Sequence, residues 1–205
     1  MTNALALPGG PLAEASLALA RQSETSPIFE HSIRSFLFAR LVAEREGSVH
    51  DAAYDEDLLF AACVLHDLGL GTLAAGKARF EVEGADLAAS VLTEHGVPAA
   101  DVDRVWEAIA LHSCLGLADR RGVLTYLTHK GVFIDAGRFG DIDAAGLRPV
   151  YAAYPRPADH RFLEDAIVEH AARSEAAAPP YSIAAELLRR RRSTPVSGRP
   201  RSGAG

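Results

Sequence analysis

Apolar residues recur at three- and four-residue spacing along most of the chain, and alternating β-branched runs are scarce. That pattern predicts helices from end to end and an all-α, single-domain protein. Residues 11–22, rich in Ala and Leu, read as a first helix that Ser23 to Pro27 breaks with turn and capping residues. A second helix over 30–46 carries Ile33, Phe36, Leu37, Arg40 and Leu41 on one side, and Gly47 ends it. After a helix at 55–65, Gly69, Gly71 and Gly76 predict a flexible connection. Helices over 83–94 and 101–112 follow, the first closed by His95-Gly96 with Pro98 beyond, the second opened by acidic residues. A helix over 121–137 contains Gly131, which either weakens it or permits close packing. Residues 159–178 form the last substantial helix, before Pro179-Pro180 and a short helical piece ending in Arg189 to Arg192.

This divides the chain into an N-terminal helical segment and turn (1–26), a main domain (27–188) and a tail (193–205) too poor in apolar residues to fold. Composition narrows the function. The 205 residues are 48% hydrophobic with a formal net charge of -6, which suits one core of ordinary size and argues against a nucleic-acid surface. No apolar run approaches the roughly 20 residues of a membrane span, and Met1 to Gly10 lacks the basic start and apolar core of a signal peptide. Cys63 and Cys114 have no CxxC partner and read as reduced thiols. A cytoplasmic protein acting on a small molecule, alone or as a homo-oligomer, is expected.

The chemistry concentrates at His66-Asp67, which follows the apolar run Leu58 to Leu65. A carboxylate at a buried helix end must neutralise or find a cation, and a metal ion would satisfy both side chains. His31 opens one helix and Asp135 stands near the end of another, so two imidazoles and two carboxylates are available for one divalent ion such as Zn, Fe or Mn. Taken singly, His31 reads equally as a cap-region residue, His66-Asp67 as a helix terminus, and Asp135 as a local cap.

The order His31, His66-Asp67, Asp135 resembles the HD-domain superfamily of metal-dependent hydrolases, and the resemblance implies that these four side chains hold a mononuclear metal site between helices. The stretches 31–36, 65–70, 79–86, 106–113 and 153–156 are similar to the cyanamide hydratase-like branch over about residues 27–188. That branch implies a zinc-activated water adding to the nitrile of cyanamide to give urea. Superfamily relatives with the same ligands cleave nucleotide phosphate esters. Arg34, Lys77, Arg79 and Lys130 supply modest positive charge for such substrates, but no lysine follows His66-Asp67-Leu68-Gly69 as in the cyclic-dinucleotide phosphodiesterases.

His112 follows Trp106 and Ile109 at helical spacing, so it is either a core histidine with a polar partner or a proton donor in the site. Thr128, two turns before Asp135, is expected to share its face and line the pocket, with Phe36, Leu70, Trp106 and Phe133 as walls. His95 reads as a helix cap, His129 as a non-ligand, Glu81 and Glu83 as first-turn carboxylates, and His50, His160 and His170 as surface residues. Three functions follow: a metal-dependent hydratase for a small nitrile-like substrate, an HD-type phosphohydrolase, or a metal-stabilised binding module without turnover.

Overall fold

The computed structural model describes residues 5–140, 142–159 and 161–193. Among them the regular elements are helical: α1 (Pro11–Ser23), α2 (Ser26–Glu46), α3 (Glu56–Leu65), α4 (Phe80–Glu94), α5 (Ala99–Leu111), α6 (Val123–Asp135), α7 (Ala144–Ala153), α8 (Phe162–Ala171) and α9 (Ile183–Ser193), with short 3-10 turns between some of them. None is long and apolar enough to cross a membrane. Most of the expected tail, 194–205, lies outside the described residues, as does His160.

Helix α2 is the axis of the molecule. Every residue from His31 to Arg40 is buried, so this stretch is surrounded on all sides rather than along one stripe. It packs chiefly against α6 and α3, while α4 packs against α5. The α2–α6 approach is close because Gly131 has no side chain: a Cβ there would stand 2.1 Å from the Ser35 carbonyl oxygen. Of the two readings of Gly131, close packing is the one observed. Helix α2 also begins earlier than its periodicity predicts, at Ser26, because Pro27 sits in the first turn, where its missing N–H costs nothing.

Two departures matter for the site. Residues 144–153 form α7, which Gly146 and Pro149 hid from the sequence pattern; the Asp143 side chain caps it by accepting from the Gly146 amide. The connection after His66-Asp67, expected to be flexible, is held at both ends. Leu68–Leu70 is a buried 3-10 turn in which a Cβ on Gly69 would fall 1.9 Å from the Phe80 carbonyl oxygen. Further on, Glu83 accepts from the amides of Gly76, Lys77 and Ala78. On the other side Arg173, Ser174 and His170 bond the carbonyls of Ala74, Gly76 and Ala78. His170 is therefore buried, not a surface residue: its polar neighbours in sequence face elsewhere, while its ring closes this clamp.

Candidate metal centre

His66 caps the C-terminal end of α3, where Asp55 at the other end fixes the helix by accepting from the Leu58 amide. The turn that follows brings Asp67 beside His66, and α2 carries His31 to the same point. Three histidine rings surround Asp67. His66 Nε2 stands 3.2 Å and His31 Nε2 3.8 Å from Asp67 Oδ2, and His112 Nε2 lies 4.0 Å from Oδ1. All four residues are at most 3% exposed.

The Nδ1 atoms fix which nitrogen is free. His66 Nδ1 is 2.7 Å from the Cys63 carbonyl and His112 Nδ1 is 2.7 Å from the Ile109 carbonyl. A carbonyl only accepts, so each Nδ1 carries the proton and the neutral ring keeps its lone pair on Nε2. His31 repeats the arrangement with a carboxylate, Nδ1 to Asp135 Oδ2 at 2.6 Å. An imidazole oriented by a carbonyl or carboxylate behind it is the usual setting of a metal-binding histidine.

The facing atoms are short of partners. His31 Nε2, His66 Nε2 and Asp67 Oδ2 are buried without a hydrogen bond. One ligand atom from each of His31, His66 and Asp67 lies within 4.8 Å of the others, a group that could hold a metal ion. Orphaned buried polar atoms of this kind call for a ligand, so these residues fit a divalent cation.

Electrostatics agree. Burial opposes ionisation of Asp67, but the His66, His31 and His112 rings outweigh it and hold the carboxyl well below its usual range. Burial likewise disfavours a charged His66, yet the Asp67 carboxylate raises its affinity for a proton. A centre that draws a proton onto a fully buried imidazole is one that favours positive charge. Glu24 is pushed well above the usual carboxyl range, first by burial and then by the charge on Asp67. His112 is the exception: burial and then His66 lower it to about 4, so it is neutral at pH 7.

Asp135 is placed differently from a free fourth ligand. Besides His31, its carboxylate receives Arg34 Nε at 2.8 Å and Nη2 at 2.9 Å. Burial works against its charge, but His31 and Arg34 bring it to about 2. Arg34, itself fully buried, also donates to the Pro155 carbonyl, and Arg156 donates to the Asp135 backbone carbonyl. Asp135 thus lines the cavity and sets the His31 ring, while its oxygens face His31, Arg34 and, at 3.8 Å, Arg156 Nε.

A cavity of about 360 Å³ opens on this cluster, lined by His31, His66, Asp67, His112 and Asp135 at the floor. The wall positions expected at Phe36, Leu70 and Thr128 are filled by other residues. Phe36, five residues beyond His31 and so about 140° round the helix, packs edge-on against Phe60 in the core. Leu70 joins Ile28 and Phe80 in a second apolar cluster. Thr128 is buried about 10 Å along α6 from Asp135, its hydroxyl donating to the Leu124 carbonyl. Trp106 is exposed, with its indole N–H on Asp86. Of the expected walls, Phe133 lines the cavity, joined by Phe80, Phe162, Leu163 and Ile167.

His95 bonds the Val91 carbonyl at the end of α4, and His50 is exposed, both as expected. His129 is outside the cavity lining but not idle. Its Nδ1 donates to the His112 carbonyl at 2.6 Å and its Nε2 stands 3.1 Å from Asp119, so it anchors the turn that carries His112. Glu81 is a first-turn residue of α4, yet fully buried, held by Arg79 and Ser113. Arg138 and Arg156 at the cavity rim had no periodic signal; Arg156 was visible only through the 153–156 motif.

A wider hollow of about 540 Å³, among Leu41, Glu44, Arg45, Ile142 and Asp143, shares none of these residues. No curated protein matches the chain. The family model described as HD domain matches residues 28–170, more than two thirds of the chain, from just before His31 through His170. The chain belongs to the HD domain family, whose members are for the most part metal-dependent hydrolases.

Proposed function

We propose that the protein is a metal-dependent enzyme that adds water to the carbon of a small, neutral, nitrile-like molecule, with cyanamide as the reference substrate and urea as its product. The observation that carries this reading is the convergence of the His31 and His66 Nε2 atoms on Asp67 at the floor of a cavity with mostly apolar walls. When bound there, a divalent ion such as zinc would supply an acidified water and a Lewis acid for the substrate.

The addition balances as one cyanamide and one water giving one urea. The water oxygen becomes the carbonyl oxygen on the nitrile carbon, and both water hydrogens end on the former nitrile nitrogen. The chain's own groups move the protons. His112, neutral with its lone pair on Nε2, accepts a proton from the attacking water and returns it to that nitrogen. Its Nδ1–H stays on the Ile109 carbonyl, so the ring does not turn during transfer. Phe80, Val132 and Phe133 line the cavity with apolar surface around the carbon.

Charge favours a neutral substrate over a phosphate ester. Arg34 is bound to Asp135 and Arg79 to Glu81, while Lys130 lies over the Tyr126 and Phe139 rings. The phosphohydrolase reading retains one supporting observation, the two rim arginines Arg138 and Arg156.

The test is urea production from cyanamide by the zinc-loaded full chain. We expect turnover that His66→Ala abolishes and His112→Gln slows about 100-fold or more. Phosphate release from a nucleotide panel, with no urea, would transfer the assignment to the phosphohydrolase. Neither product from metal-loaded protein would remove the hydratase reading.

A further inference from the structure

We infer that the substrate carries an apolar body, aryl or branched alkyl in size, beside its reacting group, and that α8 and α9 form the seat for it. The inference rests on the reading of the metal centre given above. At about 360 Å³ the cavity has roughly twelve times the volume a water molecule occupies in the liquid. Cyanamide would occupy only a fraction of it, and apart from Ser113, Glu164 and the rim arginines Arg138 and Arg156 the remaining lining is apolar.

Phe162, Leu163 and Ile167 of α8 and Ile183 and Leu187 of α9 line the same cavity as the histidines, and Leu115 closes it from the turn after α5. Ile183 and Leu187 are four residues apart and so share a face of α9. The opposite chemistry on that helix is satisfied locally, since Arg189 and Arg190 bond Glu186. Leu115 and Ile183 are 65% and 39% exposed. Large aliphatic side chains left in solvent at the mouth of a cavity mark a place where an apolar group binds.

The seat is also in reach of the chemistry. The Phe162 ring stands edge-on to His31 at 6.3 Å between centroids, so apolar wall begins where the ligand ring ends. A compound of roughly a dozen non-hydrogen atoms at most fits, for example an aryl nitrile or aryl cyanamide. Its reaction balances in the same way: one water adds across the carbon–nitrogen triple bond, the oxygen ends on carbon, both hydrogens end on nitrogen, and a primary amide or aryl urea results.

Calorimetric titration of the zinc-loaded full chain with acetohydroxamate and benzohydroxamate compares a methyl with a phenyl group on one chelating head. Benzohydroxamate is expected to bind about tenfold tighter or more. The ratio should fall towards one in Leu163→Trp, which fills the seat, and decrease in Ile183→Ala, where the residue is partly exposed and the fold is not at risk. Equal affinities in the parent chain, or a ratio unchanged in both variants, would overturn the inference. Should neither hydroxamate bind, the metal reading fails, and the seat is decided on the metal-free chain by saturation-transfer NMR. Phenylurea signals that Leu163→Trp removes would then support it, and their absence from the parent chain would sink it.

Discussion

Each of the three histidines around Asp67 has one nitrogen fixed by a neighbour and the other turned inward, and the surroundings of that inward nitrogen make His66 and His112 respond to pH in opposite directions. For His112 the folded value is about 4 against 6.5 in the unfolded chain, through burial and then the charge on His66. Between those values the unfolded chain binds more protons, so its contribution to stability is complete above about pH 6.5 and is lost as the pH falls towards 4. His66 acts oppositely: its raised value gives a contribution present below 6.5 and lost as the pH rises through the folded value. Urea denaturation of chelator-treated protein across pH 4 to 7 separates them. His112→Gln is expected to remove up to about 2–3 kcal/mol of the loss on acidification; an unchanged slope would show that His112 is not held neutral by the fold. Asp135, at about 2 against 3.8, adds stability present above pH 3.8 and lost as the pH falls through 2.

At the scale of elements, the α2–α6 contact is what carries His31 to Asp135, and at Gly131 it leaves no room for a side chain. Gly131→Ala gains up to about 1 kcal/mol of helix propensity, but its methyl would meet the Ser35 carbonyl at 2.1 Å and the Ala39 amide nitrogen at 3.0 Å. The net expectation is a loss of about 1–3 kcal/mol, read by denaturant midpoint. A neutral or stabilising result would mean that the two helices can part without cost. Periodicity revealed helices wherever one stripe of apolar residues sufficed, with ends displaced by a few positions. The helix expected over 159–178 departs further: α8 runs from Phe162 to Ala171, three residues later at its start and seven earlier at its end. It failed at α7, where Gly146 and Pro149 interrupt the pattern and a local Asp143 cap compensates. His129 and His170 were equally illegible as buried residues, because carbonyls supplied from the His112 turn and the 74–79 segment decide their surroundings, and those contacts are far apart in sequence.

For the molecule as a whole, the ligand-type residues come from α2 and from the end of α3, so an ion between them would add a further link between two helices already packed together, as at Phe36 and Phe60. Residue chemistry made His31, His66 and Asp67 legible as a group. The walls were not, since α8 and α9 reach the cavity from a region where periodicity gives length but not direction. Zinc at a hundredfold excess over its Kd is expected to raise Tm by about 5–10 °C relative to chelator-treated protein. Differential scanning calorimetry of the parent chain and His66→Ala checks this. No shift in the parent, or the same shift in the variant, would exclude this centre as the binding site.

The clamp on residues 74–79 has a consequence for how the chain comes apart. The Lys77 side chain stands in solvent, the kind of position a trypsin-like protease attacks, yet cleavage requires the flanking backbone to unfold into the protease. Here the amides belong to Glu83 and the carbonyls to His170 of α8 and to Ser174 just beyond it. That peptide bond opens only when α8 leaves, so an exposed lysine ten residues after Asp67 is kept intact by a helix almost a hundred residues further along the chain.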